Sequence, residues 1–241
     1  MNSTRRPWQA WSRAPQRLLG CAAALFNLRV AAAHAGWTPA TELEAIPRAI
    51  KDALSGAALL EGARLVFPDT WHVRTLLDLV QDAEGRDAMD AAAFDELRHW
   101  TRAGTAAAET ASDGVPEYAF GPRRRSGRAP VRDFAGRRTV PGREAAAFEN
   151  APQLAVLGTV HDRPRDWLPA GQAMERVLLQ ATLDGLATSL TSQALEWPEL
   201  RWTVRDPRSA MGFIQMVLRL GYGPAGPGTP RRPVHEVLDI E

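Results

Sequence analysis

Among 241 residues there is one cysteine, one lysine and only two tyrosines. The lone Cys21 excludes an internal disulfide and any zinc site built on cysteines, and it fits a reducing compartment. Lys51 is the only lysine, so the positive charge is almost entirely arginine; with the abundant alanine this reflects base composition more than function. A net charge of +1 gives no global bias toward nucleic acid or an anionic membrane. No stretch reaches the roughly 20 consecutive apolar residues needed to cross a bilayer.

Other absences concern chemistry. The sequence contains no Gly-x-Ser-x-Gly turn, no P-loop and no dinucleotide fingerprint. The histidines stand apart at positions 34, 72, 99, 161 and 235, without the helical pairing that a metal site uses. His161 and Asp162 are neighbours, but adjacent side chains on an extended chain face opposite ways, which discounts them as a base and its orienting carboxylate. No catalytic side chain and no metal ligand is therefore assigned. Arg5 and Arg6 followed by Leu18-Leu19-Gly20-Cys21 imitate a lipobox, and the small residues around His34 imitate a cleavage site. The apolar core of a signal peptide is missing, because Gln9, Ser12, Arg13, Pro15, Gln16 and Arg17 interrupt it before the cysteine and Asn27 and Arg29 after it. The expectation is a cytoplasmic protein.

What is present is a large apolar fraction, 45% of the residues, enough for a sizeable core. Residues 1–16 are polar and read as disordered. Leu18, Ala22, Leu25, Phe26, Val30 and Ala33 recur at three- to four-residue spacing, which predicts a helix over 17–35 closed by Gly36. A helix is expected after Pro47, with Ile46, Ile50 and Leu54 on its buried side. Ala63–Phe67 reads as a short strand. Residues 70–82 and 88–102 read as a helical pair broken near Gly85, with Trp71, Leu76, Leu79 and Val80, then Phe94, Leu97 and Trp100, facing inward.

The segment 103–147 is rich in Gly, Pro and Arg and holds no period. A connection this long is a lid, a binding loop or disordered. Its arginines, from Arg123 to Arg143, invite a nucleic-acid reading. Only Phe134 is interleaved as an aromatic, and Asp133 and Glu144 dilute the charge. A lid or solvated loop is favoured, with no specific nucleic-acid partner. Order returns with Leu154–Val160, a run expected of a central buried strand. Asp166 is placed as the cap of the next helix, whose inward stripe is Trp167, Ala170, Met174, Val177, Leu178 and Ala181. Gly185 ends that helix, Leu186–Thr191 is extended, Pro198 starts a short helix and Phe213–Leu220 is the last strand. No internal repeat is visible. The order of elements implies an α+β fold: an antiparallel-rich mixed sheet flanked by helices, with a long central lid-like loop.

Several segments resemble one family. Residues 152–182 are similar to the strand and core helix of nitroreductase-like FMN flavoproteins, and Gly185-Leu186-Ala187-Thr188 to the turn where their backbone approaches the flavin. Ser192–Glu196 and Pro198-Glu199-Leu200 resemble the two-module, dormancy-associated actinobacterial branch. Gln215–Gly223 resembles its last core strand, and Thr229-Pro230-Arg231-Arg232-Pro233 the segment where a basic residue meets the flavin phosphate. Residues 21–37, 114–119 and 131–134 resemble the first module and the region between modules. The family's Ser-x-His-Asn-x-Gln-Pro-Trp and Arg-x-x-x-Arg-x-Phe elements are absent, so the chain reads as a shortened member.

The resemblance implies a division into a remnant of the first module (17–102), a basic linker or lid (103–147) and a second module (148–241). It implies bound FMN and NADH or NADPH as reductant. A small, planar, electron-poor substrate such as a nitro compound or quinone would accept the hydride. A homodimer is a further implication, since such sites lie between two modules, and no membrane partner is implied. The alternatives are a flavin-binding or flavin-sequestering protein without turnover, or a degenerate remnant. The candidate flavin contacts are Thr188, Ser189 and Leu190, then Gly221, Tyr222 and Gly223, then Arg231 and Arg232. Each has a plainer reading beside it. The first three suit an ordinary strand entry, the glycines, which permit close backbone approach or positive φ, a simple turn after a core strand, Tyr222 a packed aromatic, and the arginines a solvated pair in a Pro-rich tail.

Overall fold

A computed structural model describes residues 45–104, 113–206, 211–223, 229 and 232–236. The expectations for residues 1–16, for the 17–35 helix, for Arg231 and for the tail beyond 236 lie outside these residues.

Helix α1 (Arg48–Leu60) starts after Pro47, which serves as its N-cap instead of its first helical residue. Ile46 and Leu54 are buried and Ile50 packs against the same cluster, as the spacing predicts. Strand β1 (Arg64–Val66) is followed by α2 (Thr70–Asp87), where Asp69 accepts a hydrogen bond from the His72 amide at 2.8 Å. This helix runs through Gly85 and stops two residues later. A helical glycine costs only about 1 kcal/mol, and the break comes where Asp90 caps α3 (Ala91–Trp100). Two inward assignments fail here. Trp71 is 52% exposed, because the buried stripe of α2 runs through its neighbour His72 to Leu76, Leu77, Val80 and Ala83. In α3 no residue is buried; Phe94 and Leu97 are half-covered and Trp100 is 45% exposed.

The central segment is made of short paired pieces. Strand β2 (Thr101–Arg102) runs parallel to β3 (Val115–Pro116), and β4 (Arg123–Ser126) parallel to β5 (Ala145–Ala147). Val115, Ala119, Phe120 and Ala135 make a small core of their own. The arginines hold this segment to its surroundings. Arg124 pairs with Glu84 at 2.8 Å, and Arg128 pairs with Asp78, both carboxylates on α2. Arg137 donates to the Ala88 carbonyl and lies 4.2 Å from the centre of the Phe94 ring. Arg143 pairs with Asp133 at 2.7 Å and donates to the Gly121 carbonyl.

The main sheet follows. Strand β6 (Gln153–Thr159) leads into α4 (Pro164–Leu183), then β7 (Ala187–Thr191), the short helices α5 (Gln193–Glu196) and α6 (Pro198–Thr203), and β8 (Phe213–Gly221). The strand order is β1-β6-β8-β7, antiparallel throughout. Asp166 sits inside the first turn of α4 and is not its cap; its carboxylate accepts the Arg163 amide at 3.0 Å. Gly185 takes φ 72° after the helix, a left-handed turn that suits glycine. Gly158 marks the bulge between β6 and β8. A Cβ there would stand 2.6 Å from the Phe213 carbonyl oxygen and 2.4 Å from Met211 Sδ.

Alternation along the strands divides the apolar side chains between two layers. Ala155, Leu157, Met216, Leu218 and Leu220 face α1 and α4. Leu154, Val156, Ile214 and Val217 face α2, α5 and α6. The α+β arrangement, with an antiparallel main sheet between helical layers, is the expected one. No described helix is long and apolar enough to cross a membrane.

Candidate functional site

The residues expected near a flavin are carried by the β7–β8 end of the sheet and by the tail. Register sets Ala187 opposite Gly221, Thr188 opposite Leu220, Ser189 opposite Arg219 and Leu190 opposite Leu218. Opposed residues share a face, so Thr188 and Leu190 lie with Leu220 and Leu218 on the α4 side. Both are buried, Thr188 at 1% exposure and Leu190 at 5%. Thr188 Oγ1 is a buried hydroxyl without a hydrogen-bond partner among the described residues. Ser189 is half-buried on the other face. Its neighbour Arg219 holds Glu149 through two hydrogen bonds, Nε at 2.5 Å and Nη2 at 2.7 Å, which anchors the end of the central segment beside β8.

Gly221 closes β8 and Gly223 lies just beyond it. Neither takes the positive φ that glycine permits. Space is what they leave: nothing lies within 4 Å of a Cβ built on Gly221, and at Gly223 the nearest atom is Ala187 Cβ at 3.5 Å. Tyr222 packs, half-buried, against the α4-side core. Strand pairing thus brings Thr188, Ser189 and Leu190 next to Gly221 and Tyr222. Arg232 is exposed in the tail, with no described contact to that group. Arg231 lies outside the described residues.

A second polar constellation went unassigned in the sequence. Arg201 of α6 is 15% exposed and donates from Nη2 to both carboxylate oxygens of Asp162, at 3.0 and 3.2 Å, and to Gln215 Oε1 at 3.0 Å. Gln215, fully buried in β8, donates from Nε2 to Thr159 Oγ1 at 2.9 Å and to Asp162 Oδ1 at 3.1 Å. Trp167 Nε1 donates to the same Asp162 oxygen at 2.8 Å. Burial pushes the Arg201 guanidinium below its ordinary range, while the charge and hydrogen bonds of Asp162 pull it back up. This cluster joins the end of β6, the first turns of α4, helix α6 and β8. Its visible signal in the sequence was a glutamine inside the otherwise apolar strand Phe213–Leu220, because a buried amide requires partners.

On the same side of the sheet, His72 Nε2 donates to the Val204 carbonyl at 2.9 Å, and its ring is buried with Nδ1 unpartnered among the described residues. Gln193 Oε1 of α5 is also buried without a described partner. None of these groups is a nucleophile with an adjacent base. Among the described residues no three His, Cys, Asp or Glu side chains are grouped to hold a metal ion. What the arrangement offers is a sheet end with open glycine backbone and a braced polar frame at the opposite end of β8.

No family model matches the chain. Over 131 residues, 52% of this chain, it is 34% identical to the protein named "Putative NAD(P)H nitroreductase" in Mycobacterium tuberculosis, covering 38% of that protein. A second relative in the same organism, named "Putative NAD(P)H nitroreductase acg", is 27% identical over 274 aligned positions that cover 93% of this chain and 81% of the relative. The chain spans about a third of the length of the first curated relatives it matches, 32% to 38%. Among solved structures, an FMN- and NADPH-dependent nitroreductase from sphigopyxis sp. strain HMH shows 16% identity and a TM-score of 0.47, over 92% of this chain and 98% of that one.

Proposed function

From its relationship to the nitroreductase-like proteins of mycobacteria, we propose that this chain is an FMN-dependent NAD(P)H oxidoreductase that reduces nitro compounds or quinones. The observation that carries the reading is the 131-residue match at 34% identity to a protein named for this activity. Bound flavin would supply the two-electron relay between the nicotinamide and a planar acceptor, which needs no protein nucleophile.

The fit of the candidate residues to FMN is partial. Thr188 and Leu190 are buried on the α4 side, and on this reading they form the wall behind the surface of the site. Ser189 and the open backbone of Gly221 and Gly223 could lie along the ring's polar edge, with Tyr222 packed behind them. Arg231 and Arg232 have the charge and forked geometry for a phosphate. This is one wall of a site. A second copy of the chain supplying the other wall is the homodimer version of the proposal. Flavin binding without turnover, or a non-catalytic remnant, is the competing reading; it draws on the missing Arg-x-x-x-Arg-x-Phe element and on the long segment 103–147.

Purification tests all three. The proposal expects a yellow protein that oxidises NADPH with a nitroaromatic acceptor in steady state. Yellow protein without turnover selects sequestration, and a colourless protein that ignores added FMN rejects both. Charge-assisted contacts are worth about 1.5–3 kcal/mol each, so Arg231→Ala with Arg232→Ala should weaken FMN binding by roughly ten-fold or more. Unchanged affinity in that double variant removes the phosphate assignment. Reactions driven at matched NADH and NADPH concentrations identify the reductant.

A further inference from the structure

Residues 123–149 are tied to the rest of the molecule by ion pairs of two polarities. Arg124 pairs with Glu84 and Arg128 with Asp78, both on α2, and Arg132 lies 3.7 Å from Glu196 of α5. In these three the segment brings the cation and the helices bring the carboxylate. At β8 the order reverses: the segment brings Glu149 and the sheet brings Arg219. This pair is also better enclosed than the other three, its side chains 20% and 13% exposed.

Arg219 stands out in its strand. β8 reads Phe-Ile-Gln-Met-Val-Leu-Arg-Leu-Gly, and Arg219 is the one charge in it. Glu149 takes the guanidinium at two points, Oε1 on Nε and Oε2 on Nη2, the fit that a forked guanidinium gives to a carboxylate or a phosphate. The Phe148 ring lies 5.6 Å from the same guanidinium. Register places Ser189 opposite Arg219 and Ala187 opposite Gly221, so these residues share one face of the sheet. Ser189 is half-buried, and nothing lies within 4 Å of a Cβ built on Gly221. A guanidinium, a serine and open backbone therefore stand together, and the anion in the fork is one that the chain supplies itself.

This contact is coupled to the shape of the segment. The Glu149 carbonyl accepts the amides of Arg128 and Ala129, at 3.1 and 3.0 Å, and the Ala129 carbonyl accepts Arg124 Nη1 at 3.2 Å. Gly127 lies between them at φ 93°, where a Cβ would collide with the Phe148 carbonyl oxygen. Freeing Glu149 thus loosens the support of the turn that carries Arg124 and Arg128 to α2.

We propose that the Arg219–Glu149 pair is a latch opened by phosphate. A ligand's phosphate group seated on Arg219, beside Ser189 and Gly221, displaces Glu149 and releases residues 123–149 from β8. The Glu149 carboxylate holds the place of that anion at rest. A tethered group competes at an effective concentration in the millimolar range, so a phosphate at millimolar levels is a matched rival. The phosphate also offers more acceptor oxygens than the carboxylate, and Ser189 has a hydroxyl to meet one of them. The latch neither requires bound flavin nor uses Arg231 or Arg232.

Inorganic phosphate and adenosine monophosphate are the probes, each titrated into the full chain at an ionic strength held constant with chloride. At millimolar probe, hydrogen exchange in residues 123–129 and 145–149 should quicken while β6 stays unchanged, and chloride alone should have no such effect. Glu149→Gln keeps the shape of the side chain and removes its charge, so that variant should bind a probe about ten-fold tighter than the unaltered chain. Adding Arg219→Lys, which keeps the charge and loses the fork, should abolish the gain. Tightening for both probes assigns the latch to phosphate in general, and tightening for adenosine monophosphate alone assigns it to a nucleotide phosphate. Equal tightening for adenosine overturns the phosphate assignment. Exchange in the unaltered chain that neither probe changes overturns the latch. So does a Glu149→Gln protein that gains affinity for neither, or a gain that survives Arg219→Lys, because the phosphate then sits elsewhere.

Discussion

Residues 153–221 and residues 113–149 are held in place by different forces. The first region is a sheet whose strands send apolar side chains alternately into two helical layers, with Leu157, Leu178 and Leu218 fully buried. The second has a four-residue apolar core and leans on α2 through arginines, including Arg124 to Glu84 and Arg128 to Asp78. Apolar burial is insensitive to salt and scales with area, whereas half-exposed ion pairs are worth little individually and weaken as ions are added. The sheet region should therefore survive conditions that loosen the arginine-rich one. That difference bears on the proposed site, since Glu149 at the end of the arginine-rich region is bound to Arg219 of β8, beside Ser189.

The largest effect is expected in the sheet region. Leu178→Ala should cost about 2–5 kcal/mol, read as a lower midpoint in urea with the slope unchanged. A loss no larger than that typical of exposed sites would mean that the α4 layer does not carry the fold. Next comes the polar frame at the far end of β8. Asp162→Ala leaves Arg201 largely buried without its carboxylate and should cost about 3 kcal/mol. Adding Arg201→Met to that variant should recover part of the loss, because no buried charge then remains. A double variant as unstable as the sum of the two single ones would show the pair to be uncoupled.

The smallest effects belong to the arginine-rich region. Arg128→Ala, at a pair with 40% and 69% exposed side chains, should cost at most about 1 kcal/mol. Hydrogen exchange sharpens the contrast. Raising the salt to about 1 M should speed exchange in residues 123–147 and leave β6 unchanged, because screening reaches exposed pairs and not buried apolar contacts. Equal acceleration in both regions would erase the distinction.

Legibility in the sequence follows the same divide. Strand β6, helix α4 and strand β8 were readable because each has a strong apolar pattern and most of that pattern is buried. The buried stripe of α4 matches the reading at Ala170, Met174, Val177, Leu178 and Ala181. Helix α3 was also readable as a helix, but its apolar face finds only partial cover, so Trp100 stays exposed. Periodicity locates a stripe; whether anything packs on it depends on elements distant in the chain. At Trp71 the reading missed by one position, because a buried histidine that donates to Val204 occupies the stripe.

For the candidate site, the sequence placed Thr188, Ser189 and Leu190 as an extended segment and Gly221-Tyr222-Gly223 at the end of a strand. Their meeting needed the β7–β8 register, which is a long-range pairing that local pattern does not encode. The same register turned Thr188 and Leu190 to the α4 side, where both are buried.

By itself, then, the amino-acid sequence determined the elements and apolar faces of the sheet region, the absence of an internal disulfide and the likeness to nitroreductase relatives. These follow from local periodicity and residue chemistry. Tertiary structure alone decided which carboxylate each arginine meets, that Gln215, Asp162 and Arg201 converge, and which of the candidate residues lie under a helix. Those outcomes depend on contacts between residues tens of positions apart, such as Arg219 with Glu149, whose partners are chosen by the packing of whole layers and not by their neighbours in the chain.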